Sequence, residues 1–275
     1  MNILQNTIRK ERVAISAKVI VAVLLTLTIP LASKAASLTT YRIYLDDNNR
    51  TESFVVFAKG STSEQCSLNF SHFDFDENGT MSKNPGKSLP ENSAKPWVRY
   101  SPRNFILTPG KPQSVRFSMR RKPNAEPKEY RSYVAMICEE LAVDNNSSQD
   151  DSENPVMPKV SIKPVLVQNV PIIVRTGKLD VEANFTNINV NGNKISATLA
   201  RQGTRSLYGR LTLVDIDSGE ELSFTNGVSI YPETSSFPVL FELSKEYGDP
   251  SKKNLLMRFE EDENYGGELI IEKAL

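Results

Sequence analysis

The stretch that decides the fold is an extended apolar segment, residues 160–175, which read Val-Ser-Ile-Lys-Pro-Val-Leu-Val-Gln-Asn-Val-Pro-Ile-Ile-Val-Arg. A strand in a globular protein usually has about 5–6 residues, and this segment is long enough for a much longer one. Val160, Ile162 and Leu166 share one face, and Pro164 lies among them, which favours an edge strand because proline donates no ladder hydrogen bond. A long apolar edge invites aggregation, so we expect it to pair with another chain. The alternative is an ordinary core strand that continues into a linker.

Short strands separated by turns fill the chain before that segment. They are rich in β-branched and aromatic residues, and residues 46–49 (Asp-Asp-Asn-Asn) are typical of a turn between two of them. No part of the chain shows a sustained helical period. The pattern predicts an antiparallel β-sandwich. The predicted strands of this half cover residues 41–45, 53–58, 66–70, 97–100, 114–119 and 130–138.

A second set of strands follows the segment and predicts a second β domain. Thr176-Gly177-Lys178 is the predicted boundary, and Asn191-Gly192-Asn193 between two alternating runs indicates a hairpin. Residues 141–158 are polar, acidic and contain proline, so a mobile loop is expected before the long strand. We predict an N-terminal domain over residues 37–176, which includes the long strand 160–175, and a C-terminal domain over residues 178–275.

The first 36 residues have the pattern of a secretory signal peptide. Basic residues ending at Lys18 precede an apolar run of 11 residues, 19–29, and small residues follow Pro30. The run is shorter than the ~20 residues of a spanning helix, so cleavage after Ala35 or Ala36 is favoured over an uncleaved anchor. We therefore expect an exported protein that does not insert in a membrane.

The net charge of the chain hides an uneven distribution. Lys+Arg and Asp+Glu number 33 each, but residues 1–35 hold five basic groups and one acidic group. The remainder has 28 basic and 32 acidic residues, a net charge of −4. A mildly acidic body argues against a nucleic-acid partner, which needs a basic surface.

The two cysteines, Cys66 and Cys138, are expected to form a disulfide after export to an oxidising compartment. The alternative is a pair of buried free thiols.

No group of residues in the sequence predicts catalysis. His72 is the single histidine and has no nucleophile motif beside it, which also argues against a multi-histidine metal site. Neighbouring carboxylates such as Glu139 and Glu140 would face opposite sides of a strand. We expect no enzyme activity, no cofactor and no metal.

Several motifs, in order, resemble the periplasmic pilus chaperones of the chaperone–usher pathway (PapD-like), most closely their archaic branch. Residues 101–116 resemble the Pro-x-x-x-x-Leu-x-Pro-Gly-x-x-Gln-x-Val-Arg turn and strand of that family, and residues 129–133 resemble its Glu-Tyr-Arg segment. The other matching stretches are residues 40–44, 170–175, 199–209 and 227–231.

The resemblance implies two tandem immunoglobulin-like antiparallel β-sandwiches in a boomerang arrangement, hence an all-β protein. It implies a periplasmic chaperone of a Gram-negative bacterium that caps pilus or fimbrial subunits by lending them a strand and delivers them to an outer-membrane usher. The lent strand would insert Val160, Ile162, Pro164 and Leu166 as plugs, or Val165 and Val167 after a one-residue slip. Weak self-association of the unloaded protein is expected from the open edge. The alternative is a secreted two-domain β-sandwich that acts as an adhesin or surface structural protein.

The resemblance also assigns charged residues. Arg42 matches the arginine that anchors the subunit's C-terminal carboxylate, whereas Pro171 stands where the family has its anchoring lysine, so Arg103 or Arg175 is a candidate substitute. Arg116, Glu129 and Arg175 match an ion network between the two domains, without an acidic member in the second domain.

Overall fold

The computed structural model describes residues 36–76, 79–83, 88–120, 122–141 and 165–275. Residues Ala36–Leu275 cluster as one compact unit. In the described ranges the regular secondary structure consists of β-strands and three short 3-10 helices, Lys245–Tyr247, Pro250–Lys252 and Glu263–Tyr265. The prediction of an all-β protein is confirmed. In this part of the chain no helix has the length and apolar character needed to cross a bilayer.

The first sandwich has two sheets, with strand orders β1-β3-β9-β7 and β2-β11-β10-β4-β8, and a small hairpin of β5 and β6. Its core lies between the sheets, where Phe54 and Phe117 (ring centroids 5.3 Å apart) lie in one cluster with Ile172. The strands are β1 (Ser37–Leu38), β2 (Ile43–Leu45), β3 (Thr51–Phe57), β4 (Glu64–Ser71), β5 (Phe73–Phe75), β6 (Met81–Lys83), β7 (Val98–Ser101), β8 (Asn104–Leu107), β9 (Gln113–Met119), β10 (Lys128–Glu140) and β11 (Leu166–Thr176).

The second sandwich has sheets with strand orders β12-β13-β16 and β15-β14-β17-β18. Leu199, Leu213, Phe241 and Phe259 belong to its separate core. The predicted hairpin is present, since Asn191 on β12 pairs with Lys194 on β13. The strands are β12 (Val181–Asn191), β13 (Lys194–Gly203), β14 (Leu207–Asp215), β15 (Glu221–Ile230), β16 (Ser236–Glu242), β17 (Leu255–Glu261) and β18 (Ile270–Ala274).

One pairing departs from the antiparallel prediction: β2 runs parallel to β11, with Ile43 opposite Ile172 and Leu45 opposite Val174. A parallel pair needs a long connection, and here almost the whole first sandwich lies between the two strands. A local sequence pattern does not specify such a partner.

The cysteines are bonded. Cys66 on β4 and Cys138 on β10 lie directly opposite each other with Cα atoms 4.1 Å apart, and they form a disulfide. The predicted disulfide is confirmed and the alternative of two free thiols is wrong.

Candidate functional site

Within the described ranges, the first half of β11 has no strand beside it on the edge away from β10. β10 pairs with β11 along its whole length, from Leu166 to Thr176, whereas β2 pairs only with Ile172–Val174. Among the described residues, Leu166 to Pro171 therefore have a strand neighbour on one side only. Pro171 stands where pairing with β2 begins, in agreement with the rule that proline tolerates a sheet edge.

The side chains at the start of this edge are apolar and exposed. Val165, Leu166 and Val167 are 51%, 52% and 45% exposed, which is unusual for three consecutive large apolar residues. Leu166 lies on the same face as the buried Val170, and Val167 lies on the opposite face. Leu166 is thus exposed, and its role as a plug stays a prediction; the other predicted plugs, Val160, Ile162 and Pro164, lie outside the described residues.

A second feature lies where the end of this sheet meets the second sandwich. Successive residues on a strand face opposite sides, and directly paired residues face the same side. The register of β10 with β11 therefore places Tyr133 beside Pro171 on one face of the sheet. Arg42 immediately precedes Ile43, which pairs with Ile172, so Arg42 stands beside Pro171 on the other side. Below this row, Ile173 packs against Tyr231 of the second sandwich.

Arg42 is a buried cation, only 3% exposed. Its guanidinium carbon lies 4.2 Å from the ring centroid of Tyr208 and 5.9 Å from that of Tyr231. Its Nε is buried without a hydrogen-bond partner, and no carboxylate of the described residues forms an ion pair with it. Aromatic faces stabilise a cation only in part, so a buried arginine in this setting is suited to receive an anion.

Tyrosines from both sandwiches surround Arg42. Burial is the main cause that raises the pKa of Tyr133 far above its usual value, and the neighbouring Tyr231 adds to the rise. Tyr208 packs edge-on against Tyr265 at 5.0 Å, and burial also raises the pKa of Tyr208. The raised pKa keeps the hydroxyls of Tyr133 and Tyr208 protonated, so both can donate hydrogen bonds.

Neither predicted substitute for the missing lysine is a free cation at this place. Arg103 is exposed in the turn between β7 and β8, with its guanidinium carbon 5.5 Å from the ring centroid of Tyr100. Arg175 is buried and its donors are in use: it donates to the Glu129 carboxylate (2.9 Å), to the Ser206 carbonyl (3.0 Å) and to the Gly266 carbonyl (2.8 Å).

Glu129 and Arg175 lie together, as the ion network required. Glu129 Oε2 accepts from Arg175 Nε, from the backbone N–H of Ser206 (3.0 Å) and from the Ser206 hydroxyl (2.9 Å). Three of the contacts of this pair thus reach Ser206, and another reaches Gly266, in the second sandwich.

Arg116 does not join them. It lies on β9 in the other sheet of the first sandwich, between Val115 and Phe117, which are buried in the core. Because side chains alternate along a strand, Arg116 faces outward and is exposed, and the predicted network is corrected at this residue.

A second ion pair joins the two sandwiches, and the sequence did not predict it. Arg131 on β10 donates to both carboxylate oxygens of Glu233, each at 3.0 Å, and Asn92 donates to the same carboxylate at 2.6 Å. The Arg131 guanidinium also lies 4.0 Å from the Tyr231 ring centroid. Glu233 lies in a turn, where no periodicity marks it, and no role was assigned to it from the sequence.

The β5–β6 hairpin adds a further contact between the sandwiches. Phe75 packs against Tyr231 at 4.8 Å, and the Thr234 hydroxyl donates to the Asp76 carbonyl at 3.4 Å. The hairpin, the ion pairs and the tyrosines together join the two sandwiches beside Arg42.

No protein-family model and no curated protein matches the chain. Among solved structures, it is similar to the class 5 fimbriae chaperone CfaA (13% identity, 87% of this chain and 98% of that chain, TM-score 0.46). It is also similar to the Pseudomonas aeruginosa CupB2 chaperone (10% identity, 87% and 100% of the chains, TM-score 0.47). A third similar structure is the CsuC–CsuE chaperone–tip adhesion subunit pre-assembly complex from archaic chaperone–usher Csu pili of Acinetobacter baumannii (10% identity, 77% and 91% of the chains, TM-score 0.39).

Proposed function

We propose that the chain is a periplasmic chaperone that caps pilus or fimbrial subunits by donor-strand complementation and delivers them to an outer-membrane usher. The observation that carries this proposal is the one-sided pairing of β11 from Leu166 to Pro171, beside exposed apolar side chains. An edge of this kind is normally blunted in a protein that works alone.

The physical basis is strand addition. A subunit that lacks its last strand leaves an apolar groove and unpaired backbone groups, and an added strand satisfies both. The free edge of β11 supplies backbone hydrogen-bonding groups, and Leu166 or Val167, depending on register, supplies the first described plug. Unloaded, the same edge favours weak self-association.

Arg42 completes the proposal as the anchor for the subunit's C-terminal carboxylate. It immediately precedes β2, the strand next to the end of β11, and it is a buried cation without an acidic partner among the described residues. A bound carboxylate would supply the missing charge through a charge-assisted hydrogen bond. The activity is binding without chemistry, with no cofactor or metal.

The remaining parts of the proposal concern processing and organisation. Residues 1–36 are a cleaved signal peptide that directs export to the periplasm of a Gram-negative bacterium. The mature chain has an N-terminal immunoglobulin-like domain over residues 37–176 and a C-terminal one over residues 178–275. The two hydrophobic cores fall on either side of this boundary.

The test is co-expression with a candidate subunit followed by isolation of the periplasmic complex. We expect a one-to-one complex with the natural chain and its loss with Leu166→Asp, because a carboxylate cannot enter an apolar groove without a large desolvation cost. The matched control is Leu240→Asp: Leu240 is 60% exposed on β16, an edge strand of the second sandwich, and the complex should persist.

The proposal is contradicted if Leu166→Asp and, for the register shifted by one residue, Val167→Asp both give the same complex yield as Leu240→Asp. Absence of any complex, with adhesion of the purified protein to cells or surfaces, would favour the alternative of a secreted adhesin or surface structural protein.

A further inference from the structure

The single histidine of the chain, His72, stands between β4, which ends at Ser71, and the β5–β6 hairpin, which begins at Phe73. Its Nδ1 lies 3.4 Å from the hydroxyl of Ser132 on β10, and that hydroxyl lies 3.2 Å from the hydroxyl of Ser93. Both serines are buried. The imidazole therefore contacts the interior of the first sandwich at the point where the hairpin leaves it.

The other ring nitrogen of His72, Nε2, is enclosed by protein. It is buried without a hydrogen-bond partner among the described residues. In the neutral ring with its proton on Nδ1, Nε2 is an unused acceptor, whereas the imidazolium has an N–H donor on both nitrogens. A charged donor enclosed without an acceptor costs more than an unused acceptor, so the packing around His72 favours the neutral ring.

The charged groups near His72 act in opposite directions. Burial lowers the pKa of His72 below its ordinary value of 6.5, the positive charge of Lys95 lowers it further, and Asp74 on β5 opposes both. Its neighbour on β10 is the uncharged Ser132. Because the unfolded chain takes up this proton first, the stabilisation by neutral His72 is present above pH 6.5 and is lost as the pH falls through the lowered pKa.

The hairpin that follows His72 reaches the second sandwich. Phe73 packs edge-on against Tyr133, and Phe75 packs against Tyr231 of the second sandwich, with ring centroids 4.8 Å apart in each pair. The hairpin ladder has three paired positions. A two-stranded hairpin alone is marginally stable in water, so its order depends on these contacts and on its attachment at His72.

We propose that His72 is a pH-dependent latch for the β5–β6 hairpin: protonation of the imidazole releases the hairpin from Tyr231 and removes one of the contacts that join the two sandwiches. Water reaches the imidazolium only when the chain around His72 separates from Ser132, and Phe73 and Phe75 follow His72 directly along the chain. The inference goes beyond the proposed function and does not depend on it.

The experiment measures amide hydrogen exchange in the full chain. Protection factors of the hydrogen-bonded amides of β5 and β6, corrected for the intrinsic exchange rate, should fall about tenfold between about pH 7.5 and about pH 5. Those of β17 in the second sandwich should not change. The midpoint of the fall should coincide with the titration of the single imidazole resonance in the proton NMR spectrum.

The matched variants are His72→Gln and His72→Asn. Their amide side chains offer polar groups to Ser132 but take up no proton in this pH range. In both variants the protection of the hairpin should be the same at the two pH values, which also controls for carboxylates that begin to take up protons near pH 5. Either variant suffices if the other does not fold.

Three results would overturn the inference. One is an equal fall of hairpin protection in a folded variant, because another group would then open the hairpin. The second is an imidazole that takes up its proton while the hairpin stays protected. The third is an imidazole that remains neutral down to about pH 5. None of these results bears on the free edge of β11, so the chaperone proposal is tested separately.

Discussion

Glu129 is the residue on which the junction of the two sandwiches depends most. It is 6% exposed, and one of its oxygens accepts three hydrogen bonds, from Arg175 and from both donors of Ser206. A buried ion pair is costly to form, but removal of one partner is costlier, because it leaves the other charge buried alone.

The expected effect of Glu129→Gln is a loss of about 3 kcal/mol in the free energy of unfolding, measured by urea denaturation. The control is Glu242→Gln, which removes an ion pair with Lys194 whose side chains are 58% and 54% exposed. Exposed pairs are worth less than about 1 kcal/mol, so the control should change little. Equal losses of unfolding free energy for the two substitutions would contradict the prediction that the buried pair contributes more to stability than the exposed pair.

The sequence predicted some residues of the candidate site and not others. Leu166 was predicted from the local apolar pattern of its segment and Arg42 from the resemblance of residues 40–44, and each of these signals is local in the sequence. The pairing of Arg131 with Glu233, and the approach of Tyr231 to Tyr133, join residues about a hundred positions apart on different sandwiches. Such contacts depend on how the sandwiches meet, for which a strand pattern holds no information.

Among the strands, β10 links the free edge to the rest of its sheet, by hydrogen bonds to two strands and by the disulfide. It lies between β11 and β4, and the disulfide joins it to β4 at Cys138, directly beside Leu166 at the start of the free edge. The sequence predicted β10 and β11 by their composition and predicted the edge by Pro164 and the length of the segment. The described strand begins at Leu166, and its pairing with β2 was not predicted, because parallel pairing over such a separation has no local signature.

Loss of the disulfide should lower the stability of this sheet strongly. The bond closes a loop with a sequence separation of 72, for which the chain-entropy relation gives about 4 kcal/mol. We expect the variant with Cys66→Ala and Cys138→Ala to lose stability of this order in denaturant unfolding. Reduction of the natural chain should give the same loss, which controls for the missing side-chain atoms; a loss below about 1 kcal/mol in both would contradict the prediction.

For the molecule as a whole, the contacts at the junction link two hydrophobic cores. Arg175 bonds to the Ser206 and Gly266 carbonyls, Arg131 bonds to Glu233, and Tyr44, Ile173 and Tyr231 form a third cluster between the cores. Domains joined only by a linker unfold separately, whereas a large shared and buried interface couples them.

We expect the two sandwiches to unfold in one transition. Trp97 is the single tryptophan and is 5% exposed in the first core, so its fluorescence reports on that sandwich alone. Far-ultraviolet circular dichroism reports on the strands of both. The two signals should have the same denaturation midpoint, and a circular dichroism signal that outlasts the fluorescence change would contradict coupled unfolding.

The parallel pairing of β2 with β11 has a consequence for the timing of folding. A chain synthesised from its N-terminus presents β2 early, but the residues that pair with it, Ile172–Val174, emerge only after the rest of the first sandwich. Until then Ile43 and Leu45, both fully buried in the finished protein, have no complete core to enter. The first sandwich therefore closes late, and the interval before closure is when the nascent chain is most vulnerable to proteases and to wrong partners.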